Sequence, residues 1–137
     1  MLYLRKQDYK AIVSYCQQLL PWEACGLLGG EVDGVDAYVQ KVFFLTNKDY
    51  SQTHFSMEPR EQFAAIKDLR SCDLVLLGNF HSHPKTAAKP SKEDRRLAND
   101  RDFRYLILSL MDAEPVLKVF CLDDTRSLGE EKLVILE

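Results

Sequence analysis

Between Lys6 and Leu20 the apolar residues Tyr9, Ile12, Val13, Cys16, Leu19 and Leu20 recur at spacings of three and four. That period lines them up on one face of a helix, which Pro21 ends. After Trp22-Glu23-Ala24-Cys25, the apolar run Gly26-Leu27-Leu28-Gly29-Gly30 leads to the turn signal Asp33-Gly34 and predicts a hairpin returning through Tyr38 to Leu45. Thr46 to Ser56 is polar and reads as a loop. Pro59, whose missing N–H does no harm in a first helical turn, opens a second helix to about Arg70, with Phe63, Ile66 and Leu69 on its apolar face and Ala64 and Ala65 on its flank.

Leu74-Val75-Leu76-Leu77 is short and uniformly apolar, the pattern of a central strand covered on both faces. It runs directly into Gly78-Asn79-Phe80-His81-Ser82-His83-Pro84. Pro84 and Pro90 bracket a polar loop, and Ser91 opens a third helix to about Asn99. Tyr105 to Leu110 reads as another buried strand, Val116 to Leu122 as its hairpin partner, and Lys132 to Leu136 as a final strand. Helices interspersed among strands predict an α/β or α+β sheet domain with helices packed on it. With 137 residues, no internal repeat and no linker, the expectation is a single domain over 1–137.

Composition narrows the function classes. The chain is 46% hydrophobic and 28% charged, an ordinary globular balance. A net charge of −3 supplies no general field for phosphate backbones, so nucleic-acid binding is not expected. No apolar run approaches the ~20 residues of a membrane span. The N-terminus turns charged at Arg5-Lys6 before any apolar secretory region forms, so the cytoplasm is the expected compartment. Cys16, Cys25, Cys72 and Cys121 form no C-x-x-C pair and read as structural thiols. Cys25 in particular reads as a buried small hydrophobe rather than a nucleophile.

Candidate chemistry centres on two of the three histidines. His81 and His83 stand two apart at the end of a predicted strand, so both imidazoles project from one face and can reach one metal ion. By chance such a pair arises about 4 times in 100, so the pair needs company. Asp94, eleven residues on, offers a carboxylate from the first turn of the third helix. Two histidines and one aspartate leave a fourth position open for water, the pattern of catalytic rather than structural zinc. Amide hydrolysis further requires a group that carries a proton from water to the leaving amine. Glu23 is the candidate, ahead of a strand that can pair near the histidine strand, and Ser91 offers a hydroxyl for a developing oxyanion. Ser91-x-x-Asp94 is equally the signature of a plain helix N-terminus, and the two roles are compatible. His54 reads as structural or surface.

At these residues the chain resembles the JAMM, or MPN-plus, zinc metallopeptidases, whose pattern is an upstream Glu, then H-x-H, seven residues, and S-x-x-D. Here the pattern stands as Glu23, His81-Ser82-His83, and Ser91-Lys92-Glu93-Asp94. The segments Glu23 to Gly30, Phe55-Ser56-Met57-Glu58-Pro59 and Tyr105 to Leu110 also look like family blocks. The resemblance implies an MPN fold, a curved mixed sheet flanked by helices. It implies one Zn2+ held by His81, His83 and Asp94, with Glu23 as general acid/base and Ser91 steadying the oxyanion. It implies hydrolysis of a peptide or isopeptide bond at the C-terminal Gly-Gly of a ubiquitin-like or sulfur-carrier protein. Two other functions stay open at this point: a non-catalytic MPN scaffold, and a zinc hydrolase of a small amide or peptide conjugate. Lys85 to Arg104 holds seven basic and four acidic residues, either a solvated face or a landing site for an acidic partner.

Overall fold

A computed structural model describes residues 1–137. The elements in chain order are β1 (Leu2–Arg5), α1 (Lys6–Gln18), β2 (Cys25–Asp33), β3 (Asp36–Leu45), α2 (Pro59–Ser71), β4 (Val75–His83), α3 (Lys92–Leu97), β5 (Arg104–Ser109), β6 (Val116–Leu122), β7 (Leu128–Glu131) and β8 (Leu133–Leu136). The eight strands form one curved mixed sheet in the order β7-β6-β5-β4-β2-β3-β1-β8. The β2–β3 hairpin turns at Gly34, whose φ of 64° suits a residue without a Cβ. The β4–β5 pair is parallel, joined through α3, and β2 runs antiparallel to β4. The expected α/β sheet with helices packed on it is the architecture found.

Period-two alternation sends neighbouring residues of each strand into different cores. On one face, Ile12 and Cys16 of α1 pack with Leu28, Phe80, Leu106 and Leu108. On the other, Ala65 of α2 packs with Cys25, Leu27 and Met57, while Ile107 joins Ala88, Phe120 and Leu128. Phe80 is fully buried, and its ring lies edge-on to Tyr15 and Phe44. The strand end carrying the histidines is therefore pinned from behind by the principal core.

The structure corrects the pattern reading in four places. Phe63 is 70% exposed, because a series of every third residue drifts around a helix of 3.6 residues per turn; Ala65 and Leu69, four apart, form the buried line. Val75 and Leu76 are exposed, since β5 pairs with β4 only from Gly78 onward and this end has β2 alone beside it. The sequence pattern does not show β1 and β7, which are four residues each; β1 is fixed by the distant β3 and β8, and β7 only by its hairpin neighbour β6. Helix α1 closes at Gln18, two residues early.

Truncating the ring that backs the histidine strand leaves a cavity beside α1. Phe80→Ala is expected to lower unfolding free energy by about 3–5 kcal/mol, measured by denaturant titration.

Candidate functional site

The end of β4 brings the predicted residues together through backbone pairing. Cys25 stands opposite His81 in the antiparallel register, and Glu23, two residues before it, lies close enough to His83 to feel its charge. Between them, Ala24 N–H donates to Ser82 Oγ at 2.8 Å and Ser82 N–H donates to the Ala24 carbonyl at 3.0 Å. Ser82, for which the motif alone suggested no role, thus ties the Glu23 backbone to the strand between the two histidines. Asn47 adds a second tie, donating from Nδ2 to the Glu23 carbonyl at 3.0 Å.

His81, His83 and Asp94 converge. The two Nε2 atoms are 3.1 Å apart, and Asp94 Oδ2 lies 3.2 Å from His81 Nε2 and 3.3 Å from His83 Nε2. Both imidazoles are buried, and the His81 ring stacks on Phe55 with centroids 4.7 Å apart. His83 Nδ1 is 2.9 Å from the Ala87 carbonyl, which can only accept, so the ring hydrogen sits on Nδ1. In neutral His83 this leaves the Nε2 lone pair aimed at a carboxylate oxygen and a second ring nitrogen. The single proton that a neutral His81 can offer from Nε2 cannot serve both neighbours. His81 Nδ1 is itself buried with no partner.

A cation relieves this arrangement. Four donors set tetrahedrally at about 2.1 Å, as for imidazole nitrogen on zinc, stand about 3.4 Å from one another. The three separations found, 3.1, 3.2 and 3.3 Å, are close to that edge length. The residues present therefore fit a metal ion.

Asp94 is held in place from its own helix. Its Oδ2 accepts from Ser91 N–H at 2.9 Å, and Ser91 Oγ accepts from Asp94 N–H at 3.0 Å, a reciprocal capping box at the start of α3. Ser91 thus caps the helix while its own hydroxyl hydrogen remains free to donate. Burial pushes the Asp94 pKa up, but hydrogen bonds with His81 and His83 outweigh it and hold the carboxyl well below its usual range. His81 is lowered by burial; for His83 burial is outweighed by Asp94 and the Ala87 carbonyl, leaving it raised.

Glu23 behaves differently. It is 4% exposed, and its carboxylate makes no hydrogen bond to the protein. Burial pushes its pKa up to about 8, with His83 pulling down and Asp94 pushing up. Cys25 is fully buried and its thiol is pushed up to about 12 by burial, so the reading as a small hydrophobe holds. His54 lies at the surface, with Ser51 Oγ 3.0 Å from its Nδ1. Of the basic segment, Arg104 turns inward to Glu131 and the Val35 carbonyl, and Arg96 and Arg101 pair with Glu93 and Asp124. No helix is long and apolar enough to cross a membrane.

A mixed sheet carrying two strand histidines and a helix-cap aspartate defines a JAB1/MPN-type domain, and a JAB1/MPN domain protein from Archaeoglobus fulgidus shares the fold, with a TM-score of 0.66 at 20% identity over 98% of this chain and 97% of that one. The chain belongs to the prokaryotic homologs of the JAB domain, the family whose profile matches residues 5–121. A Desulfitobacterium hafniense protein of known solution structure is 48% identical, with a TM-score of 0.90 over 100% of this chain and 94% of that one. A CysO-cysteine peptidase of Mycobacterium tuberculosis is 31% identical over 112 residues, 82% of this chain and 75% of that protein. A desampylase of Pyrococcus furiosus is 28% identical over 113 residues, 82% and 76%. Relatives bearing these names support a hydrolase.

Glu23 carries a linkage consequence. Its folded pKa of about 8 lies above the usual ~4.3, so the stability linked to its proton is full below pH ~4 and is lost as pH rises through 8. Metal-free Glu23→Gln is therefore expected to exceed metal-free wild type by about 1–2 kcal/mol at pH 8, the gap closing near pH 4. Melting curves across that range check it; equal stability at pH 8 would refute the burial argument.

Proposed function

We propose that the protein is a zinc metallopeptidase that hydrolyses the peptide or isopeptide bond at the C-terminal Gly-Gly of a ubiquitin-like or sulfur-carrier protein, acting in the cytoplasm. The convergence of three donor atoms beside a buried, unbonded carboxylate supports this reading above all else. The names of the relatives, CysO-cysteine peptidase and desampylase, favour the carrier-tail substrate.

In this mechanism His81, His83 and Asp94 would hold the ion. Zinc bound there would supply Lewis acidity toward water and the scissile carbonyl. Glu23 takes the proton from the attacking water and delivers it to the leaving amine. Its pKa suits both transfers: burial raises it, and a nearby cation draws it back toward neutrality. Ser91 donates its free hydroxyl hydrogen to the developing oxyanion. An extended Gly-Gly tail suits such a site, because a chain without side chains can lie as an added strand in a narrow groove.

Elemental mass spectrometry after identical dialysis is expected to find about one zinc per wild-type chain and none in His83→Ala. Zinc bound equally by both would remove His83 from the ligand set. Glu23→Gln is expected to keep its zinc while turnover of a Gly-Gly-linked conjugate falls about 10²–10⁴-fold. Full activity in that variant would overturn the assigned mechanism.

A further inference from the structure

A cavity of about 240 Å3 adjoins the candidate metal centre, with His81 and Asp94 at its edge. Its floor is the face of β4 and β5 that carries the histidines, represented by Asn79, Tyr105 and Ile107; Phe55, Met57, Leu97 and Leu128 supply walls. Asn79 lines it beside His81, whereas neither His83 nor Glu23, which feels the His83 charge, is part of its lining. Small-molecule sites usually occupy about 300–1,000 Å3, so this cavity suits one side chain rather than a whole ligand. Apart from Asp94, whose Oδ2 is engaged with the histidines and Ser91, no lining residue is ionised at neutral pH to receive a charged group. At the floor, Asn79 Oδ1 is buried and has no partner. A buried acceptor without a donor costs about 1–3 kcal/mol, and this one is shut off from the water-sized space of the cavity, which therefore offers a ligand no acceptor there.

The Gly-Gly tail cannot fill this space, because its last two residues carry no side chain. We propose that the cavity receives the side chain of the residue on the leaving side of the scissile bond, and that this side chain is uncharged and apolar, of about leucine or methionine size. The inference rests on the peptidase reading and adds to it a preference for what is released: a leucine- or methionine-like amine over glycine, aspartate or a lysine ammonium.

Binding and cleavage separate the two ideas. The zinc-loaded, 15N-labelled protein is titrated with leucinamide, methioninamide, glycinamide and lysinamide while the backbone amide signals of Asn79, Leu97 and Tyr105 are followed. Leucinamide and methioninamide are expected to shift these signals with at least tenfold lower Kd than glycinamide or lysinamide. Leu97→Asp, on a side chain 56% exposed, is expected to erase that preference without unfolding the protein. Equal binding of all four amides, or no shift at these residues, would overturn the proposal. Acetylated X-Gly-Gly peptides form the control: shifts at Leu97 and Tyr105 that follow X would assign the cavity to the tail and overturn it likewise. In parallel, Gly-Gly–X peptides and conjugates report hydrolysis. Amide binding at the cavity with no Glu23-dependent cleavage would leave only the cavity's side-chain preference standing and sink the peptidase reading together with the assignment to a leaving residue; cleavage indifferent to X would sink this inference and leave the peptidase reading intact.

Discussion

Strand alternation is the constraint on which the rest depends. Along β4 every second side chain faces one way, so His81 and His83 share a face while Phe80 and Ser82 turn to the other. The back face does the holding: Phe80 sits in the principal core, and Ser82 exchanges two hydrogen bonds with Ala24. The front face is thereby freed for polar atoms that would otherwise have no place in a sheet core. A one-residue slip of β4 against β2 would bury the histidines against α1 and aim Phe80 at Asp94. The close contact between Gly26 and the Phe80 ring opposes such a slip, since any Cβ at Gly26 would strike both that ring and the Phe43 carbonyl.

The same geometry creates the electrostatic problem that defines the site. Two imidazole nitrogens and a carboxylate oxygen meet within hydrogen-bond range, but the hydrogen of His83 is committed to the Ala87 carbonyl. Too few protons remain to satisfy the cluster in neutral form. A protonated imidazole or a bound cation resolves it, and burial disfavours the first at His81, whose pKa it lowers. Glu23 adds a second carboxyl in the same low-dielectric region, uncharged below its pKa of about 8 and without a donor of its own once ionised. Such a carboxylate weakens the fold without its cation, the usual cost of placing reactive groups ahead of packing.

Much of this was legible in the sequence because its carriers are local. The spacing of His81 and His83, the S-x-x-D of Ser91 and Asp94, and the apolar runs around them each announce an element and a direction. Glu23 is a weak candidate from its place before a strand and becomes a firm one only through resemblance, since its approach to His83 depends on chain 60 residues apart being brought together by β2–β4 pairing. The part played by Ser82 escaped for the same reason, its partner Ala24 being 58 residues away. The short strands β1 and β7 carry too few apolar residues to show a period and exist by virtue of their neighbours. The cavity beside His81 left no trace either, for its lining comes from three strands, two helices and a loop.

Helix α3 shows why capping and the proposed metal binding are compatible accounts of Ser91 and Asp94 rather than rivals. Six residues are too few for a stable isolated helix, and none of the six is buried, so packing does little to hold it. Its start is fixed instead by the capping box, in which Asp94 Oδ2 accepts from Ser91 N–H while facing both histidines. The atom that ends the backbone's unmet hydrogen bonding is the atom offered to the cation. The Ser91 side chain holds the helix start through the Asp94 N–H, while the Ser91 backbone N–H holds the Asp94 carboxylate; without a cation that carboxylate has only this N–H and imidazole protons to meet it. Local helix physics and the chemistry of the site therefore favour the same rotamer of one side chain, which is how so short a helix presents a ligand at a defined position.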